Sequence, residues 1–347
     1  MKKYLLIFVF VQLLACTERT EGPDANGNVF FITRRIPNTA DWQIYVMDFN
    51  GKVQRKVIDR IVNYARPAIS DAANKIAFTA YDSQLYHLFV SNLDGSDIEL
   101  ISSSHRFCGA QTWSLDGSRL LYLKSRRNES VFYPVVYDVG SDQENMLIDS
   151  SGYASPTWLP SGHEVLLISA EDGSIIRYNL LNKTRVKISP QGIFFADIAL
   201  SPSGDVIAAT SSSGDGSQIF LLNVDGSDPR QITTSVSPEW FDTGFPRQGN
   251  DSPSWSPDGK KLAFVSYGDG DAELVIADAN GLDMEQVTFN EDYDGDPVWS
   301  GNSQFIFFTS NRDRSSGNYD IFRMSATGNY VINLTRSPGN DALPVVD

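Results

Sequence analysis

The apolar residues of this chain fall into short runs separated by clusters of Gly, Pro, Asp and Asn. The run Ile219–Leu222 leads into Asp225-Gly226, and the run Leu274–Ala277 leads into Asn280-Gly281. An apolar run that reaches Asp-Gly or Asn-Gly predicts a β-hairpin, here with type I′ turns that have positive φ at both central residues. No stretch carries a convincing apolar period of 3.6 residues, so the pattern predicts an all-β protein with almost no helix.

The hairpin is the second half of a unit that repeats along the chain. The clearest first half runs from Asp251 through Trp255 and Gly259 to Phe264. Alignment of the copies gives seven equivalent residues, separated by steps of 47, 44, 45, 42, 55 and 44 residues. They are Phe31, Phe78, Tyr122, Leu167, Ala209, Phe264 and Phe308. A period in the mid-forties is typical of one four-stranded propeller blade.

The two ends of the chain complete one blade between them. The C-terminal Leu343–Asp347 aligns with Ser252–Ser256, the first strand of a blade, and Val29–Ile58 supplies three more strands. We therefore predict a seven-bladed β-propeller of four-stranded antiparallel blades, closed by pairing of the C-terminal strand with the N-terminal strands. Six blades remain the alternative if the unit around Phe31 is not a blade. The repeated tryptophans are expected to pack between blades.

The Pro-x-Trp-Ser-Pro-Asp-Gly segment around Trp255, together with the Asp-Gly hairpins, resembles the TolB-type, WD40-like propeller repeat (PD40). This resemblance covers nearly all of residues 28–347 and implies a propeller of the bacterial envelope. TolB proteins carry an additional α/β domain before the propeller, whereas only a short polar tether at residues 16–27 is expected here. The resemblance therefore implies a TolB-like propeller alone, without direct transfer of Tol-system function.

The first residues have the features of a secretion signal. Lys2 and Lys3 precede an apolar stretch, Tyr4–Leu14, that is shorter than the ~20 residues a spanning helix needs. Leu13–Cys16 resembles the bacterial lipobox, which implies a signal peptide at residues 1–15 and lipidation of Cys16. Thr17 stands where an inner-membrane retention Asp is common. The resemblance thus favours the outer membrane, facing the periplasm or the surface.

Composition excludes several classes of protein. The formal net charge is -15, and removal of Lys2 and Lys3 would make it -17, so binding to nucleic acid through phosphate contacts is not expected. Two cysteines are too few for a disulfide scaffold. There is no Gly-x-Ser-x-Gly or His-Glu-x-x-His motif. The three histidines are predicted on opposite faces, which argues against the three-His metal centre of propeller oligogalacturonate lyases.

Blade topology predicts which face does the binding. Loops between the second and third strands of a blade, and connections between blades, share one face, which we call the loop face. The loops include 34–41, 124–130, 210–217, 266–271 and 310–318, and the longest inter-blade connection is an insertion at 234–250. Long loops on a rigid scaffold commonly carry binding. In the insertion, Trp240, Phe241, Phe245 and Arg247 are candidate partner-binding residues; alternatively, its aromatic residues cap the groove between blades.

Two polar sets are expected on the same face. Residues at the position just before the first strand of each repeat should surround the channel mouth as a polar ligand site: Arg66, Ser155, Asp197, Ser252 and Asp296. Asp292, Asp294 and Asp296 have the alternate spacing of Ca²⁺ loops but lack the downstream Glu of an EF-hand. They are a weak calcium candidate beside the reading as a solvated acidic loop, and no other cofactor is expected.

The sequence therefore predicts a non-catalytic, lipid-anchored monomer that binds an envelope protein or glycan through its loop face. A carbohydrate- or peptide-active enzyme with its site at the channel mouth is the alternative, because acidic pairs are common here.

Replacement of Cys16 tests the predicted anchor. Cys16→Ala removes the thiol that lipidation needs, and we expect the protein to leave the membrane fraction, as measured by fractionation and immunoblot. Cys108→Ala is the matched control and should remain in the membrane fraction. Membrane association that persists in Cys16→Ala would refute the anchor.

Overall fold

The computed structural model describes residues 27–35, 41–82, 85–102, 108–125, 131–148, 152–213, 216–234, 250–267, 271–313 and 317–347. Strands and turns make up these residues, which confirms the all-β prediction. Within the same ranges, no helix has the length and apolar character needed to cross a membrane.

The strands of the described chain fall into six antiparallel sheets. The first sheet contains β1 (Asn28–Arg34), β2 (Trp42–Asp48), β3 (Arg55–Val62), β4 (Ala68–Ser70), β5 (Lys75–Asp82), β6 (Leu85–Asn92), β7 (Glu99–Ser102) and β28 (Asn340–Val346). The second sheet contains β8 (Cys108–Trp113), β9 (Arg119–Ser125), β10 (Phe132–Asp138) and β11 (Gln143–Met146). The third sheet contains β12 (Tyr153–Trp158), β13 (Glu164–Ser169), β14 (Ile175–Asn179) and β15 (Arg185–Lys187).

The other three sheets have the same four-strand order. They contain β16 (Phe195–Leu200), β17 (Val206–Ser213), β18 (Gly216–Asn223), β19 (Arg230–Gln231); β20 (Asn250–Trp255), β21 (Lys261–Ser266), β22 (Glu273–Asp278), β23 (Glu285–Gln286); and β24 (Asp294–Trp299), β25 (Phe305–Ser310), β26 (Asp320–Ser325), β27 (Ile332–Asn333). Repeated four-stranded antiparallel sheets are the architecture of a β-propeller.

The eight-stranded sheet joins two four-stranded groups. One group has the order β28-β1-β2-β3, and the other consists of β4 to β7 with β4 beside β5. The only register pair between them in the described residues is Val62 with Ala80. Strand pairing between the groups is therefore confined to the point where the end of β3 reaches β5.

The ends of the chain pair as the aligned repeats predict. β28 lies antiparallel to β1, with Arg34 opposite Asn340 and Val29 opposite Val346. At the end of this ladder, Asn28 donates to the Asp347 carboxylate from its backbone N–H at 2.5 Å and from its side-chain amide at 2.6 Å. The edge of β1 is thus covered by the chain's own last strand, which removes an open edge.

The core lies between neighbouring four-stranded groups. In the described residues, seven buried clusters each combine side chains from two adjacent groups. Four tryptophans also donate their indole N–H to a backbone carbonyl in the preceding group, as the prediction of inter-blade packing requires. These bonds are Trp113 to Ala68 (3.1 Å), Trp158 to Thr112 (3.2 Å), Trp255 to Ala199 (3.1 Å) and Trp299 to Ser254 (3.0 Å).

The Asp-Gly hairpins form where predicted, but the predicted turn type is wrong. In the turn from Asn92 to Gly95, the Gly95 N–H donates to the Asn92 carbonyl at 2.9 Å, and only Gly95 of these residues has positive φ (91°). This is a type I turn followed by a left-handed glycine. A Cβ at Gly95 would lie 2.0 Å from the Val57 carbonyl oxygen. Glycine is therefore required at position 95, because any side chain would collide with the backbone of β3.

The predicted loop 210–217 is also wrong in extent. β17 and β18 continue as a ladder to the pair Ser213 with Gly216. Antiparallel pairing satisfies the backbone of these polar residues, so the ladder extends beyond the apolar run.

Loss of one indole N–H tests the inter-sheet bond. Trp299 is 4% exposed, and Trp299→Phe removes its bond to the Ser254 carbonyl and leaves a small cavity. We therefore expect the free energy of unfolding, measured by urea titration, to fall by about 1–3 kcal/mol. Tyr330→Phe, at a 74% exposed site, is the control and should change it by less than about 0.5 kcal/mol. Equal values for the two variants would show that the indole bond contributes nothing.

Candidate functional site at the channel mouth

Loops and inter-sheet connections meet on one face, as predicted. The backbone N–H of Tyr293, in the connection before β24, donates to Asn311 Oδ1 at 2.8 Å. The N–H of Asp341 donates to the Tyr319 carbonyl at 2.8 Å. Asn311 and Tyr319 belong to the loop between β25 and β26, so both kinds of segment build the loop face.

A bulge in the first strand of several four-stranded sheets sets the direction of the channel-mouth residues. The strand register shifts at Ser155, Ser252 and Asp296, and these residues have φ of 44°, 54° and 55°. Ala110 and Leu343 have the same left-handed conformation at the equivalent position. A bulge of this kind redirects one side chain and interrupts the strand's alternation. Such conformations are uncommon away from glycine and need support from surrounding structure.

The structure brings four of the five predicted channel-mouth residues into contact pairs. Ser155 Oγ donates to Asp197 Oδ1 at 2.9 Å. Arg66 Nη2 lies 3.7 Å from Asp296 Oδ1, and the side chains of this ion pair are 43% and 18% exposed. Ser252 occupies the equivalent bulge and is half-buried. Strands far apart in sequence therefore converge on one polar site.

The carboxyl group of Asp197 is unusual for a residue that water can reach. The walls of the channel surround it with protein, and this burial raises its pKa above the ordinary value. The Ser155 hydroxyl, the Ile198 N–H at 2.9 Å and the charge of Arg66 act in the opposite direction, since they stabilise the carboxylate. Asp197 is thus a carboxyl group that accepts a proton more readily than an exposed aspartate.

Aromatic side chains that the repeat pattern does not predict surround this polar set. Burial raises the pKa of the Tyr293 phenol, and the charge of nearby Asp296 raises it further. The ring of Tyr293 also lies edge-on to Tyr319, with centroids 5.5 Å apart. Tyr64 is 52% exposed and packs against Trp42 at 4.8 Å. Tyr64 precedes Arg66 by two residues, so its closeness in sequence to a predicted channel-mouth residue was the signal that could have identified it.

The predicted calcium set does not assemble. Asp294 is fully buried, and its Oδ2 accepts bonds from Arg312 Nη2 and, at 2.6 Å, from Asn290 Nδ2. Asp296 instead faces Arg66, and Asp292 remains partly exposed. No group of three His, Cys, Asp or Glu residues suited to a metal ion occurs in the described part of the chain. Asp292 lies before β24, and the register shift between Gly295 and Val298 interrupts the alternation of the strand, so Asp294 and Asp296 do not share one side.

The remaining predicted residues lie outside the described ranges. They are Cys16 at the predicted anchor and Trp240, Phe241, Phe245 and Arg247 in the insertion.

Removal of one hydroxyl tests the environment of Asp197. Ser155→Ala removes a donor that stabilises the carboxylate, so the Asp197 pKa should rise further above its ordinary value. The measurement is a carboxyl-carbon NMR titration, with the resonance assigned by Asp197→Asn. Ser252→Ala is the control, because Ser252 occupies the equivalent bulge in another sheet. An unchanged or lower Asp197 pKa in Ser155→Ala would contradict the assigned contact.

Known proteins match this architecture over most of the chain. The family model described as "TolB beta propeller domain" matches residues 25–241 and 243–346. The Tol-Pal system protein TolB of Anaeromyxobacter dehalogenans is 30% identical over 122 residues, which are 33% of this chain and 28% of that protein. The chain spans between 28% and 61% of the length of the curated relatives it matches.

Solved structures share the fold at low sequence identity. TolB from Acinetobacter baumannii superposes with a TM-score of 0.58 at 22% identity, over 75% of this chain and 63% of that one. An oligogalacturonate lyase solved in complex with manganese superposes with a TM-score of 0.63 at 15% identity, over 90% of this chain and 86% of that one. The fold thus occurs in a Tol protein and in an enzyme. On the match to nearly its whole length, the chain belongs to the TolB β-propeller (PD40) family.

Proposed function

We propose that this protein is a non-catalytic, lipid-anchored binding scaffold of the bacterial cell envelope, whose channel mouth and surrounding loops take a protein or glycan partner. The observation that carries the proposal is the convergence of Arg66, Asp296 and exposed Tyr64 on one face of a closed ring. Polar groups between aromatic side chains on a rigid scaffold are suited to selective binding. A curated relative carries the name Tol-Pal system protein, which supports an envelope role.

We also propose that the ring has seven blades. The eight-stranded sheet divides into two four-stranded groups that share one register pair, Val62 with Ala80. With the other five sheets this gives seven four-stranded groups. Seven buried clusters, each between adjacent groups, support the same number.

The binding site is largely prepared before a partner arrives. Arg66 contributes a guanidinium whose side chain is 43% exposed, and its distance of 3.7 Å from Asp296 leaves room for a stronger hydrogen bond to a ligand. Tyr64 presents an aromatic surface held by Trp42. The formal net charge of -15 favours a partner with a positive surface, because complementary charge accelerates association.

The proposed location rests on two features of different kinds. The lipobox-like residues before Cys16 support an anchor in the outer membrane, and the family supports the cell envelope. The anchor would leave the ring, joined by the tether at 16–27, free to meet partners near the membrane.

An envelope pull-down tests the channel mouth as the contact site. Tyr64→Ala with Arg66→Ala removes the exposed aromatic surface and the cation, and we expect at least tenfold lower partner recovery, scored by quantitative mass spectrometry. Leu181→Ala, at a 73% exposed hairpin position on the opposite face, is the control and should recover the partner normally. Trp240→Ala with Phe245→Ala separately measures the contribution of the insertion. Equal recovery by the channel-mouth variant and the control would contradict the proposed site.

The enzyme alternative has one specific observation in its favour. Burial raises the pKa of Asp197, whereas Asp296 lies beside the Arg66 guanidinium, so two carboxyl groups in one channel have different environments. Such a division is what acid and base roles in glycoside hydrolysis use. Turnover of a glycan or peptide library that is lost in both Asp197→Asn and Asp296→Asn would favour this alternative over the scaffold.

A further inference from the structure

Two buried carboxyl groups lie beneath the connection between β23 and β24. Glu273 begins β22 and Asp294 begins β24, and the residues are 1% and 0% exposed. Asn290 binds both: its backbone N–H donates to Glu273 Oε1 at 2.6 Å, and its Nδ2 donates to Asp294 Oδ2 at 2.6 Å. The other two oxygens, Glu273 Oε2 and Asp294 Oδ1, are buried and have no hydrogen-bond donor in the described structure. Burial without a partner is costly for such groups.

The preceding interface has an amide pair at these two positions. Strand register places Gln218 and Asn250 where Glu273 and Asp294 stand one interface later. Asn250 Nδ2 donates to Gln218 Oε1 at 3.4 Å, so one hydrogen atom lies between the two side chains. Replacement of this amide pair by two carboxylates would remove that hydrogen and leave two oxygens facing each other.

The following interface has two carboxyl groups as well, but each has its own donors. Asp320 accepts bonds from Thr335 Oγ1 at 3.1 Å and from Asn333 Nδ2 at 3.0 Å. Asp341 accepts bonds from Thr33 Oγ1 and from two nitrogens of Arg35 at 3.1 and 3.0 Å. Neither has an unpartnered oxygen. The unpartnered oxygens at Glu273 and Asp294 are therefore a property of this one pair and not of the fold.

We propose that Glu273 and Asp294 share one proton, held between Glu273 Oε2 and Asp294 Oδ1, and that this acid pair is a pH-sensitive latch on the connection that carries Tyr293 to the channel mouth. The O–H···O bond takes the place of the N–H···O bond between Asn250 and Gln218. We place the proton on Glu273, because the Arg312 guanidinium donates to Asp294 and needs an acceptor oxygen there. One added proton satisfies both unpartnered oxygens.

The electrostatics of the site agree with this geometry. Burial raises the pKa of Glu273 to about 7, while the Asn290 N–H and the Thr288 hydroxyl act in the opposite direction and the charge of Asp294 adds to the increase. In the described chain the charged group that acts on Glu273 is Asp294 on β24, and Asp294 in turn contacts Arg312 after β25. Burial and an adjacent like charge are the two ordinary reasons for a protonated carboxyl group at neutral pH.

Loss of the proton should weaken the fold locally. The Glu273 pKa is higher in the folded than in the unfolded chain, so unfolding releases a proton between its ordinary value of 4.5 and about 7. Stability therefore falls as pH rises through that window. The strain falls on Asn290, which contacts both carboxyl groups, and on the segment that leads to Tyr293. An effect on partner binding rests on the proposed function, whereas the shared proton does not.

Glu273→Gln in the full-length chain tests the latch. The amide keeps an oxygen for the Asn290 N–H and supplies a permanent N–H donor to Asp294. Between about pH 5 and about pH 7, we expect the melting temperature of the unmodified protein to fall relative to that of Glu273→Gln as pH rises, and the difference should stay constant at higher pH. Near pH 6, in a background that carries Asp197→Asn because the pKa of Asp197 is also raised, infrared spectroscopy should show a protonated-carboxyl band that Glu273→Gln abolishes.

Two further variants separate the latch from a general effect on stability. Asp294→Asn places an amide donor opposite Glu273, as in the preceding interface, so Glu273 ionises and the band should again disappear. Asp320→Asn removes a buried carboxyl group that has its own donors and should leave the band unchanged. Parallel pH profiles for Glu273→Gln and the unmodified protein, or a band that survives Glu273→Gln, would overturn the proposal. Failure of the pull-down would leave this test unaffected.

Discussion

At four interfaces between adjacent four-stranded groups the same contact recurs: the indole N–H of a repeated tryptophan reaches a backbone carbonyl of the preceding group. Trp299 to Ser254 and Trp255 to Ala199 are two of four such bonds, each at 3.0–3.2 Å. Each bond fixes one group against the next, while the indole ring fills the space between them. Because a buried carbonyl needs a donor, the bond sets position and orientation together. Pairing of β28 with β1 joins the two ends of the chain in one sheet.

Groups that are fixed against each other in this way can hold strained backbone conformations at the channel mouth. The left-handed residues Ser155, Ser252 and Asp296 would be unfavourable in an isolated strand, but neighbouring groups hold each one in place. Their strands belong to different groups, so side chains from several repeats meet at the channel mouth. The resulting site is asymmetric, since Arg66 contributes a cation and Asp197 a partly desolvated carboxyl group at equivalent positions. Repetition builds the site, and divergence between repeats gives it its chemistry.

Features that follow from repetition could be predicted from the sequence, and features that depend on contacts across sheets could not. The position of Arg66 follows from alignment of the repeats, as does pairing between the two chain ends. The turn at Gly95 was assigned the wrong type because glycine there also accommodates the Val57 carbonyl of β3, a contact across groups that the turn sequence does not reveal. The acidic triplet around Asp294 suggested calcium because spacing alone does not reveal that Arg312 binds this carboxylate. The tyrosines of the channel mouth lie outside the repeat and were missed for that reason.

The proposed function needs a loop face that keeps its shape, and this depends on the ring acting as one cooperative unit. Native-state hydrogen exchange across the whole chain measures that property most directly. We predict that protected amides of the first strand of each four-stranded group and of the β28–β1 ladder exchange with one common free energy equal to that of global unfolding. Exchange of the β28–β1 ladder at a clearly lower free energy than the other groups would contradict it, because the ring would then open at the closure before the rest of the fold unfolds.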